Sequence, residues 1–157
     1  MHIKLCIFLC AIVSIYVNIC YNNSEVCYMN VTRREIRVEV MNALYQYDLY
    51  LSDRLPFIPY FEIEEAEEIY NELMSRIAFL DQIIEEHLYE YSLGRLAFLD
   101  RAIIRLAVYE MVDTDLPVQI IIDEAIELTK IYSDLDDGKQ HRFTNKVLDN
   151  IAKTRRG

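Results

Sequence analysis

The sequence predicts an all-helical protein, and three observations carry that prediction. Gly and Pro are scarce, at three each, while Leu, Ile, Glu and Tyr are abundant, a composition that suits helices rather than a sandwich or barrel. Between its breaks the chain repeats apolar residues at spacings of three and four, the period of an amphipathic helix. One run, Leu96–Val112, contains neither Gly nor Pro and is apolar on most of its sides. There Leu99, Ile103 and Leu106 form one row, and Ile104, Val108, Met111 and Val112 cover much of the remainder. A helix of that kind lies at the centre, with others packed around it. Broken by charges, it is too short and too polar to span a membrane. At 157 residues the chain holds one domain, or one and an appendage.

The elements follow in order. Residues 1–28 form an apolar extension unlike the rest: Lys4 precedes the run Leu5–Val17, which only Ser14 interrupts. That is the shape of a secretory signal, but the small-x-small cleavage pattern is missing. Cys6, Cys10, Cys20 and Cys27 all lie in this stretch and none follows it. The composition shift and the segregated cysteines favour Met29 as the native start over a genuine leader, which makes 29–157 the functional domain. A domain free of cysteine fits a reducing compartment. Its first helix starts with the capping box Thr32-Arg33-Arg34-Glu35, followed by Ile36, Val40, Ala43, Leu44, Tyr47 and Leu51 on one face. Arg33, Arg34 and Arg37 oppose the helix dipole at roughly a few tenths of a kcal/mol each, so they either serve a ligand or are simply solvated.

Pro56 and Pro59 end that helix. From Glu62 the helical pattern resumes through Ile69, Leu73, Ile77, Leu80, Ile83, Ile84 and Leu88. The run is too long for one average helix, so a turn is expected near Ser75–Leu80. Glu62, Glu64, Glu65, Glu67, Glu68 and Glu72 read as a solvated acidic face, because neither His87 nor His141 has the Glu three residues before it that a di-metal bundle uses. Ser92-Leu93-Gly94 turns into the central helix. On that helix Arg101 and Arg105 sit four residues apart, so both heads leave by one face and meet either solvent or something acidic. Glu110 falls on the row of Leu99, Ile103 and Leu106. It therefore needs a buried partner, unless the helix end frays. Asp113–Pro117 is the next break. Val118, Ile121, Ile122, Ala125, Leu128, Thr129 and Tyr132 then line one face, Asp134–Gly138 turns, and the last helix points Phe143, Val147, Leu148 and Ile151 inward, with Arg142, Lys146 and Lys153 outward.

The net charge of −10 argues against a nucleic-acid binder until the charges are mapped. The middle of the chain is acidic, whereas Arg33, Arg34 and Arg37 on one flank and Lys139, Arg142, Lys146, Lys153, Arg155 and Arg156 on the other make both ends basic. If the ends meet, they form a cationic patch on an anionic body, fit for a polyanion; common solvated chain ends are the alternative. No Gly-rich phosphate loop, nucleophile elbow or zinc spacing occurs, so no catalytic residue, metal or cofactor is expected.

Several motifs in order carry a resemblance. Leu96–Val112 with Leu-Asp-Arg-Ala-Ile-Ile-Arg-Leu-Ala-Val-Tyr-Glu, then Leu116-Pro117-Val118 and Asp123–Lys130, then Arg142–Asp149, and near the start Arg33–Arg37 with Ala43–Gln46, resemble the NusB transcription antitermination factors. The likeness runs essentially from Met29 to Lys153. It implies a compact all-α fold of two small helical bundles. It also implies a cytoplasmic, bacterial, non-catalytic factor that pairs with the ribosomal protein NusE on boxA-like single-stranded nascent RNA in support of rRNA transcription, with NusA, NusG and RNA polymerase engaged indirectly. Carried over by motif, Arg33, Arg34, Arg37, Tyr45, Arg142, Phe143 and Lys146 are the expected RNA-binding residues, and Asp100, Arg101 and Arg105 the expected protein-partner surface. Arginines grip phosphates, and aromatic rings give unpaired bases a stacking surface. Departures are Thr144 and Lys146, where the family usually has Val and Gly, and Asp123, where it usually has Asn; the linker with Pro56 and Pro59 is also unlike the usual stretch.

Two other functions compete. An RNA methyltransferase carries a similar domain ahead of its catalytic part, but no cofactor-binding domain follows here. A helical protein-interaction module that has lost specific RNA binding stays open, as does monomer against homodimer.

Overall fold

The computed structural model describes residues 31–89, 91–134 and 138–156. The extension, with its cysteines and the Met29 start, lies outside the described residues. So do the middle of the turn before the last helix and the side chains of Arg155 and Arg156. Among the described residues six α-helices and one short 3₁₀ turn make up the fold, and none of the helices is long and apolar enough to cross a membrane.

Helix α1 spans Arg33–Ser52, and both halves of the predicted capping box form. The Glu35 amide donates to Thr32 Oγ1 at 3.2 Å, and the Thr32 amide donates to Glu35 Oε2 at 2.7 Å. The helix ends in a Schellman closure, with the Arg54 amide on the Leu51 carbonyl and the Leu55 amide on the Tyr50 carbonyl. Arg54 itself takes φ 57°, a left-handed conformation usually given to glycine.

Helix α2, Glu64–Ser75, has no side chain of its own on its first amides. Instead Glu39 of α1 accepts from the amides of Glu62 at 2.6 Å and Ile63 at 3.1 Å. A carboxylate at a helix N-terminus satisfies orphan donors and suits the dipole. The expected break falls at Arg76, with φ −119° and ψ 10°, and α3 follows over Ile77–His87. Leu73 before the break and Leu80 and Ile84 after it are all fully buried, so both helices contribute to the core.

After a 3₁₀ turn at Leu93–Arg95, α4 spans Phe98–Asp113. Every residue from Ala102 to Tyr109 is buried, so this is the central helix that the sequence predicts. Helices α5, Val118–Tyr132, and α6, Lys139–Arg156, pack on it and on each other. Gly138 precedes α6 with φ 65°, and a Cβ there would lie 3.0 Å from the His141 ring. Two helix groups share α4: α1 with α2 on one side, and α3, α5 and α6 on the other. One continuous apolar core joins them.

Candidate nucleic-acid interface

The three N-terminal arginines meet different fates, because successive helical positions face different neighbours. Arg33 is exposed and makes no ion pair with a described residue. Arg34 donates from Nε to Glu124 Oε2 at 3.0 Å and from Nη2 to Oε1 at 2.8 Å, with its side chain still 47% exposed. Arg37 is buried; its Nε donates to Glu110 Oε1 at 2.8 Å, and its Nη1 lies 3.6 Å from Glu124 Oε2. Glu110 thus has the buried partner its position on the apolar row demanded. Burial pushes its carboxyl above the usual range, and Arg37 offsets that only in part. The Arg34 hydrogen bonds hold Glu124 below that range. A buried arginine cannot leave its carboxylates without a large cost, so Arg37 serves the fold, while Arg33 and the outer side of Arg34 face solvent.

The other basic end forms a different surface. Phe143 and Lys146 of α6 line a groove of about 280 Å³ with Val147, Asn150, His87, Tyr89 and Tyr91. Phe143 is half-buried and meets Tyr91 edge-on, centroids 5.9 Å apart at 65°. The Arg95 guanidinium lies 5.6 Å from the centre of the same Tyr91 ring. Lys146 is exposed and makes no ion pair with a described residue; Arg142, also exposed, donates from Nε to the Gly138 carbonyl at 2.8 Å. Tyr45 is half-buried against the core. Helices α1 and α6 both pack on α4.

On α4, the face shared by Arg101 and Arg105 meets acid within the chain. Arg105 grips Asp81 with Nε at 2.6 Å and Nη2 at 2.8 Å, and reaches buried Asp48 with Nη1 at 2.8 Å. Arg101 Nε lies 3.4 Å from the same Asp48 carboxylate, and its guanidinium sits 5.2 Å from the centre of the Phe98 ring. Asp100 is buried and accepts from Ser133 Oγ and, at 3.1 Å, from Gln140 Nε2. Burial pushes its carboxyl up. At 3% and 4% exposed, Asp100 and Arg105 do not reach the surface; Arg101 is the least enclosed of the three. The acidic face of α2 gives no metal site: among the described residues no group of three or more His, Cys, Asp or Glu could hold an ion. Glu72 instead accepts from the Tyr109 hydroxyl at 2.7 Å.

Sequence reasoning missed the acids that take up the arginines, Asp48, Asp81 and Glu124. It also missed Tyr89, Tyr91 and Arg95, which lie in and beside a break where periodicity gives no signal.

Comparisons agree with this architecture. Residues 33–153 match the family model described as the NusB family. The transcription antitermination protein NusB of Staphylococcus aureus (strain JH9) is 33% identical over 131 residues, covering 78% of this chain and 99% of that protein. The T. maritima NusB structure is 31% identical with a TM-score of 0.66, over 80% of this chain and 93% of the other. A structure of antitermination factors NusB and NusE in complex with dsRNA matches at 25% identity and a TM-score of 0.62, over 78% of this chain and 96% of that one.

Proposed function

This chain belongs to the NusB family, and on that premise we propose that it is a transcription antitermination factor that binds boxA-like single-stranded RNA together with the ribosomal protein NusE. It would thereby support rRNA transcription in the cytoplasm, with NusA, NusG and RNA polymerase as indirect partners, and without catalysis. The observation that carries this reading is local charge and aromaticity against the global balance. On a protein of net charge −10, exposed Arg142 and Lys146 flank the half-buried Phe143 ring on α6, the combination of cations and π-faces that single-stranded RNA requires. Arg33 and the open side of Arg34 supply further phosphate contacts, with Tyr45 behind them on the same helix. NusE docks along the start of α4, where Phe98 and Arg101 are part-buried, with Asp100 and Arg105 buried on the same helix.

The test is fluorescence anisotropy with a boxA RNA and a scrambled RNA of equal composition, with and without NusE. The expected result is preference for boxA in the presence of NusE, with affinity falling on a log–log salt plot by about 0.7 for each phosphate contacted. Equal affinity for both RNAs refutes antitermination. One observation favours the interaction-module reading: Arg37 and half of Arg34 are already engaged by Glu110 and Glu124. Tight NusE binding with no RNA discrimination would establish it.

A further inference from the structure

Resting on the RNA-binding reading, we propose that the groove between Tyr91, Tyr89 and Phe143 is a seat for one unpaired nucleobase, whose phosphate is held by Lys146. Two large aromatic side chains stand in water side by side along one groove there, Tyr91 at 52% and Tyr89 at 72% exposed. Tyr91 is already fixed: Phe143 abuts it edge-on, and the Arg95 guanidinium flanks the same ring. A preset ring loses little conformational freedom when a ligand arrives, so its contact area is converted into affinity with small loss. The groove, about 280 Å³, has room for roughly nine waters at about 30 Å³ each, and a planar ring can displace them.

The rim discriminates among occupants. Lys146 lies three residues from Phe143 along α6 and therefore on the same flank, and Asn150 follows a turn later with both a donor and an acceptor for a base edge. The groove's cations are Lys146 on the wall and Arg95 beside the Tyr91 ring. An anionic ligand with a flat polar ring fits this set better than a peptide. Lys146 stands where the family pattern has Gly, so this phosphate contact is a property of this chain.

The experiment uses the full chain with NusE and a fluorescein-labelled boxA RNA of about 12 nucleotides, long enough for a single-strand site. A second RNA carries 2-aminopurine at successive positions. Tyr91→Leu keeps the bulk and removes the π-face; it should weaken binding roughly 5- to 150-fold and relieve the quenching of one 2-aminopurine position, with the melting temperature unchanged. Lys146→Gly should lower the salt slope by about 0.7. Tyr60→Leu, at an 80% exposed tyrosine outside the groove, serves as the control and should change neither. If the wild type prefers boxA and Tyr91→Leu binds equally well, the seat is refuted and the family reading stands. If Tyr91→Leu weakens NusE binding instead, the groove takes protein and the seat is refuted. If the wild type does not distinguish boxA from scrambled RNA, the RNA reading itself fails and takes the seat with it.

Discussion

Replacing Arg105 with Met should destabilise the protein by about 3 kcal/mol. Its guanidinium holds Asp81 through two hydrogen bonds and Asp48 through one. The Asp48 side chain is only 2% exposed, whereas Asp81 is 25% exposed. After the substitution Asp81 can hydrate, but Asp48 keeps only Arg101, with Nε 3.4 Å away. Removing one member of a buried pair costs about 3–5 kcal/mol because the other charge is left in a poor solvent. The residual Arg101 contact and the wet side of Asp81 place this case at the low end. With an m-value of about 2 kcal/mol/M, the urea midpoint followed by far-UV circular dichroism should fall by about 1.5 M. The double variant Asp48→Asn with Arg105→Met removes both charges and should recover most of the loss, giving a coupling that a double-mutant cycle reads directly. A single-variant loss below about 1 kcal/mol, the level of an exposed pair, would refute the assignment of Arg105 to the interior. So would a double variant no more stable than the single.

Arg54→Gly should stabilise the chain by roughly 0.5–1 kcal/mol, since glycine takes the left-handed conformation of the α1 closure without the penalty a Cβ incurs; a lower urea midpoint would contradict that. Glu124→Gln should free the outer face of Arg34, raise RNA affinity and steepen the salt slope, and an unchanged slope would show that Arg34 never reaches RNA. Asp100 has its carboxyl raised above 3.8 by burial. The stability it contributes is therefore complete below that value and is lost as pH rises through the raised one. The unfolding free energy of wild type minus that of Asp100→Asn should accordingly shrink between about pH 4 and neutrality, and a difference that grows over that range would reverse the argued sign.

Local rules recovered what is local. Thr32 and Glu35 announce the start of α1 by type and spacing, and the all-round apolar character of Ala102–Val108 announces a central helix. The need of Glu110 for a partner followed from its row. What the sequence did not show is which groups meet across large separations. Arg34 finds Glu124 at 90 residues, Arg37 finds Glu110 at 73, and Arg105 finds Asp48 at 57. Part of this was available. Arg37, Met41, Leu44 and Asp48 fall on one row at helical spacing, so both charges could have been assigned to the interior even though their partners could not. The Tyr89–Tyr91 side of the groove was hidden for another reason: a break between helices has no period, and its rings acquire meaning only from the α6 flank folded beside them.

The carboxylate of Glu39, closed on the amides of Glu62 and Ile63, has a consequence for how freely the preceding segment can vary. The stretch from Asp53 to Phe61 leaves α1 through a hydrogen-bonded closure and enters α2 through this bracket, so both of its ends are anchored by α1 itself. Between the anchors, Ile58 is 90% exposed and Tyr60 80%, while Phe57 packs on Tyr50 and Phe61 on Tyr70, each with ring centroids 5.3 Å apart. Lengthening such a span costs only about 0.6 kcal/mol per doubling. The segment is thus a natural insertion point, where a peptide tag or reporter can be spliced in without disturbing the helices on either side.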